Sequence, residues 1–214
     1  MKTGLLVLVA IFFGLGGCQT MYYETMEKVG VHKREIMVDR VKEARDSQDE
    51  AKKQFLTAME QFRSVVDFKG GNLEREYNRF NATLQESESK AAAVRDRIDA
   101  VEDVSEALFR EWRGEIKQYS SDTLRRSSQQ KYDSTLQRYK MLIGAMKKAE
   151  ARLDPALVPL RDQVLYLKHN LNAQAIAGLQ DELGSVQTNV DSLIRDMNAA
   201  IAEADRFIAA LKEE

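Results

Sequence analysis

Cys18 is the only cysteine among 214 residues, so its thiol can form neither an internal disulfide nor a thiolate metal site. Whatever chemistry it carries is set by its neighbours, and directly before it stand Leu15, Gly16 and Gly17. The other side chains that could do chemistry are not grouped for it. The two histidines, His32 and His169, lie 137 positions apart and no H-E-x-x-H occurs, so they read as solvated helix residues rather than a ligand pair. There is no G-x-x-x-x-G-K-[ST] phosphate loop. Asp and Glu interleave with Lys and Arg, as in Glu43-Ala44-Arg45-Asp46 and Arg95-Asp96-Arg97-Ile98-Asp99, which is the pattern of an ion-paired helix face. No nucleophile stands beside a base. The expectation is a protein without enzymatic activity, metal or cofactor.

One charge feature rises above this background. Residues 123–148 hold seven bases, Arg125, Arg126, Lys131, Arg138, Lys140, Lys147 and Lys148, against the single acid Asp133, a balance of +6. From Gly178 onward eight acids face Arg195, Arg206 and Lys212, a balance of -5. Two readings stand side by side. The segments neutralise each other inside the fold, or part of the basic stretch stays exposed. In a hairpin turning near Asp154, positions 125–148 face 161–184, where acids are few. Exposure would make these seven bases a patch for an anionic ligand, either lipid head groups or the carboxylates of cell-wall polymer.

The chain opens with Met1 and Lys2 and then runs uncharged from Gly4 to Gly17. A positive start followed by about 14 apolar or small residues has the layout of an export signal, and it is short of the roughly 20 residues that span a bilayer. Its end, Leu15-Gly16-Gly17-Cys18, resembles the bacterial lipoprotein signal. That resemblance implies a signal peptide over residues 1–17, cleavage before Cys18, and a diacylglyceryl group on the Cys18 thiol, with residues 18–25 as a lipidated tether. Gly16 and Gly17 suit such a cut, because a peptidase must bring its own backbone close beside a lipidated thiol. Acyl chains contribute about 0.8 kcal/mol per buried methylene, and two or more anchor stably. Gln19, where the sorting rule of enteric-type lipoproteins places Asp for inner-membrane retention, implies the periplasmic face of the outer membrane.

The rest of the chain must hold whatever these residues do. The 32 Lys and Arg against 34 Asp and Glu give a net charge of -2, with 43% apolar and 31% charged residues. This excludes a disordered chain and the strong basic excess of a typical nucleic-acid binder. Apolar or small residues recur at steps of three and four: Met37, Val41, Ala44, Gln48, Ala51, Phe55, Ala58, Phe62 and Val65, then Leu73, Tyr77 and Phe80 through Trp112, and Ile176 through Leu211. That spacing forms a seam along a helix, and no segment alternates with period two. Tyr132, Leu136, Tyr139, Ile143 and Met146 continue it in the third segment. Breaks fall at Gly70-Gly71, at Tyr119 to Thr123 and at Leu153-Asp154-Pro155, where a cap residue precedes Pro at a first helical position. Asn170 to Asn172 or Gly178 could interrupt the last helix. The expected fold is all-α: one elongated antiparallel helical bundle or coiled coil over residues 26–214, of about four long helices in two hairpins.

With its signal at Leu15 to Cys18, its helical body and the central segment Gln163-Val164-Leu165-Tyr166-Leu167-Lys168-His169-Asn170-Leu171-Asn172, the chain resembles a family of bacterial lipoproteins with a domain of unknown function. The resemblance implies location and shape but no activity. The expectation is a non-enzymatic, membrane-anchored spacer, scaffold or adaptor of the cell envelope. Its partners would be the membrane through the lipid, and another envelope protein or a second copy. An anionic-ligand module is the first alternative. A cytoplasmic DNA-associated coiled coil is the second, weakened by the missing phosphate loop.

Overall fold

The computed structural model describes residues 32–213, and among these described residues there are five helices: α1 (Lys33–Val66), α2 (Leu73–Ile116), α3 (Asp122–Glu150), α4 (Leu153–His169) and α5 (Ala173–Glu213). Among the described residues there is no strand. The segments expected to be signal and tether, including Leu15, Gly16, Gly17 and Cys18, lie outside the described residues.

The three-and-four periodicity builds the core. All nine seam residues of α1 from Met37 to Val65 are fully buried, as are Val186, Val190, Leu193, Met197, Ala200 and Ala204 of α5. The third segment differs from its expected seam. Tyr132 and Met146 are buried, but Thr135, Leu142 and Ala149 complete the inward face, while Leu136, Tyr139 and Ile143 are only half-buried. The reason is that α3 packs against both α2 and α5, so its apolar stripe is wider than a single-partner seam.

Local signals explain two turns. Gly70 and Gly71 take φ of 144° and 116°, a region costly for any residue with a Cβ. Asn72 then caps α2, its side chain accepting from the Arg75 amide at 3.0 Å. Ser121 caps α3 in the same way through the Leu124 amide at 3.4 Å.

The third turn lies elsewhere than at Asp154. Ala151 and Arg152 keep right-handed helical dihedrals, φ/ψ of -62°/-14° and -89°/-10°, so α4 carries on from α3 rather than folding back. Ion pairs from both neighbours run through the joint. Asp196 of α5 meets Lys148 at 2.8 Å and Arg152 at 3.2 Å, and on the α2 side Lys147 meets Glu102 at 2.7 Å while Arg95 meets Asp154 at 2.7 Å. Asp154 therefore pairs across the bundle instead of reversing the chain. Pro155 has no N–H to offer Ala151, which is where the helical ladder skips. The reversal comes at residues 170–172, with Asn172 accepting the Ala175 amide at 3.0 Å. Gly178 lies inside α5 without breaking it. Residues 125–148 consequently face α2 and the C-terminal half of α5, not 161–184.

Four rods result, α1, α2, α3 with α4, and α5. Each is antiparallel to its two neighbours in the order α1, α2, α3/α4, α5 and back to α1, as the pairs Lys90–Glu50, Arg161–Glu88, Lys148–Asp196 and Arg45–Asp205 record. At 1.5 Å per residue the 44 residues of α2 are about 66 Å long. One end of the bundle, here its base, gathers the start of α1, the α2–α3 turn and the last turn of α5.

Polar seam residues behave unequally. Ser105 donates to Val101 O at 2.6 Å, and Ser87 donates to Thr83 O at 2.8 Å while Gln54 of α1 bonds that same carbonyl at 3.0 Å, tying α1 to α2 in register. Gln48 is fully buried with neither amide atom hydrogen-bonded, an uncompensated desolvation. Gln48→Met, which keeps the shape, is expected to raise stability by about 1–3 kcal/mol, read as a higher urea midpoint at unchanged slope. Gly144 sits mid-helix with open space where a Cβ would go. Gly144→Ala should stabilise by about 0.5–1 kcal/mol, whereas Gly70→Ala should destabilise by at least as much; opposite signs in one denaturation series check both.

Candidate functional site

The seven bases of the third segment do not form one patch. α3 divides them by height and by face. Towards the middle of the bundle, Lys147 is ringed by Glu102 at 2.7 Å, Glu150 at 3.1 Å and Asp99 at 3.3 Å. Burial works against its charge, but the carboxylates outweigh it and raise its pKa. Lys148 shares Asp196 with Arg152. These two are the neutralised part of the stretch. Arg138 is half-buried and also engaged.

Nearer the base the picture reverses. Arg126, Lys131 and Lys140 are exposed and make no ion pair or side-chain hydrogen bond among the described residues. Arg125 is exposed too, but it pairs with Asp122 and reaches Tyr119 O at 3.4 Å. Both sequence readings therefore hold in different halves of one helix. Whether a base finds an acid depends on which rod stands opposite it, and opposite the first turns of α3 there is only the end of α2.

The base also contains residues that the charge count passed over. Every residue from 117 to 127 is exposed, including Lys117, Tyr119 at 39% and Leu124 at 56%. Their signal was Tyr119 and Leu124 standing on either side of the polar run Ser120-Ser121-Asp122-Thr123. Beneath the turn Trp112 is half-buried and donates through Nε1 to Ser128 Oγ at 2.9 Å, with its ring edge-on to Tyr132 at 5.7 Å. It packs against the core, in keeping with its seam position. Beside it a cleft of about 190 Å³ opens between the helix ends, lined by His32, Lys33, Leu108, Glu111, Trp112 and Leu211.

At the opposite end, the central apolar stretch splits its faces. Val164 and Leu167 point inward, whereas Leu165 and Tyr166 are 59% and 43% exposed. Tyr166 lies along α5 where Gly178 leaves room, a Cβ there standing 3.6 Å from its hydroxyl. His32 begins α1 at the base and His169 ends α4 at the far end, so the two imidazoles are separated by most of the bundle. Among the described residues no three His, Cys, Asp or Glu side chains come together as a metal site, and no helix is long and apolar enough to cross a membrane.

Fold and surface together define an all-α, four-rod antiparallel bundle with a neutralised middle and a basic base. A family model described as "Protein of unknown function (DUF2959)" matches residues 22–211. The chain belongs to that family, as the resemblance of its helical body and central segment implied. No curated protein matches it.

The ion pairs across the α3–α4 joint give a pH signature. Asp196, whose side chain is 12% exposed, is opposed by burial, but Lys148 and Arg152 outweigh this and hold it below the ordinary carboxylate range. Lys52 and Lys53 bring Asp49 down to about 2. Both folded-state values lie below the unfolded one, near 3.9, so the stability they contribute is complete above that value and is lost as pH falls from about 4 toward 2. Urea midpoints measured from pH 6 to 2 should drop in that window, and Asp196→Asn should flatten the drop.

Proposed function

We propose that this chain is a lipoprotein anchored through Cys18 at the periplasmic face of the outer membrane, where its bundle serves as a non-enzymatic spacer, scaffold or adaptor. The observation that carries this reading is Leu15-Gly16-Gly17-Cys18, placed directly after an uncharged run in a chain with no other cysteine. The rod supports it physically. A bundle about 66 Å long, with its first described residue at one end, extends much farther from an attachment point than a compact domain of equal mass. Its narrow seam uses Ala44, Ala51, Ala58, Ala91, Ala200 and Ala204, all fully buried, which favours close helix packing over a buried ligand chamber.

A second reading, an anionic-ligand module, is favoured by Arg126, Lys131 and Lys140, exposed and without an ion pair among the described residues. The two are compatible, since an anchor and a charged surface act on the same membrane.

Growth with a palmitate analogue tests the anchor. The wild-type chain is expected to take up label and to fractionate with the outer membrane, and Cys18→Ser to lose both. A serine variant that still labels and still fractionates there would overturn the proposal.

A further inference from the structure

We propose that the α2–α3 hairpin tip, residues 117–127, is a second membrane contact that lays Tyr119 and Leu124 into an anionic lipid surface while Lys117, Arg125 and Arg126 meet its phosphates. This deepens the anchoring at Cys18 proposed above and rests on it.

The tip projects beyond the rest of the bundle. α1 begins level with Glu111 of α2, where Lys33 pairs at 2.8 Å, and the last turn of α5 lies beside that start, Leu211 O accepting from Arg34 at 3.2 Å. From there α2 runs on to Ile116 and α3 starts only at Asp122, so residues 117–127 overhang both other rod ends. They carry Lys117, Arg125 and Arg126 against Asp122 alone, and Lys117 and Arg126 have no charged partner among the described residues. An aromatic ring and a leucine flanked by bases are the side chains that settle at a head-group boundary. Farther along α3, acids of α2 and α5 pair with Lys147 and Lys148, while Lys131 and Lys140 make no ion pair among the described residues, so the positive face extends from this end and stops at mid-height.

The tether places this end toward the bilayer. Fourteen residue steps separate Cys18 from His32, a reach of about 50 Å at full extension. The 34 residues of α1, which start at that point, span about 51 Å to the far end. For an anchored chain, standing inverted with Gly70 and Asn170 against the membrane and its first helix at the top would draw the tether to its full extension, at a large cost in chain entropy. The base, which contains both the start of α1 and the tip, is the end that a slack tether reaches. Two attachments, one covalent and one electrostatic, would orient the rod instead of leaving it free to swing.

The test uses the full lipidated chain with a reporter at the tip, Tyr119→Trp in a Trp112→Phe background, reconstituted onto vesicles with brominated acyl chains. The vesicles are phosphatidylcholine alone, or phosphatidylcholine with phosphatidylglycerol. Tryptophan emission is expected to be quenched and blue-shifted only where phosphatidylglycerol is present, and to recover at high salt. Each base near such a surface is worth roughly a fivefold change in binding, so Lys117→Gln with Arg126→Gln should weaken tip occupancy roughly 25-fold. Leu124→Ser should reduce the blue shift.

A chain that pellets with both vesicle types but shows no phosphatidylglycerol-dependent quenching overturns the inference and leaves the anchor standing. Quenching unchanged in the double variant also overturns it. So does binding to purified cell-wall polymer through the same two bases with the reporter unquenched. A chain that neither pellets nor carries palmitate removes the anchoring reading, and this inference with it.

Discussion

The architecture turns on two residues. Because Ala151 and Arg152 stay in the right-handed helical region, α3 and α4 stack into a rod that runs from Asp122 to His169 and so matches the length of α2 and α5. A reversal there would have left two short helices beside three long ones, with the far ends of α2 and α5 unable to bury their apolar stripes. With the joint straight, each rod finds two antiparallel neighbours along most of its length. The Ala-rich seam can then close tightly, and opposed helix dipoles lie side by side.

Charge follows from the same geometry. Isolated surface ion pairs contribute little, so the significance of Lys147, Lys148 and Arg152 is less in stability than in what they remove from the surface. Acids on α2 and α5 consume the bases at mid-height. Beyond the ends of α1 and α5 no rod stands opposite α3, and the bases there keep their field. A chain with a net charge of only -2 thereby presents a positive end, and this end lies nearest the segment that leads back to Cys18. The proposed anchor and the proposed tip contact draw on that one asymmetry.

Much of this was readable from residue order. The seams of α1 and α5 were legible because each apolar position is tied to the next by the helix's own period, and the Gly70-Gly71 turn because no other residue type accepts those dihedrals cheaply. The third turn was not. Asp154-Pro155 satisfies every local rule for a helix start, yet those rules constrain the dihedrals of a start, not the direction from which the chain arrives. Asn172 carries a cap just as good and is the true reversal. The α3 seam was displaced for a related reason: a helix with two partners buries a broad stripe, and here that stripe includes the polar Thr135. The bases of residues 123–148 formed a single block in sequence because position along the chain says nothing of which acids stand across the bundle.

By itself, the sequence determined that the body is helical, where its apolar stripes lie, and that one thiol follows an export-like segment, since period, caps and motifs are properties of neighbouring residues. Only the tertiary structure decided where the chain reverses, which bases are neutralised and which end is left positive. Those outcomes depend on register between rods, and register is settled by how four long apolar stripes cover one another at once.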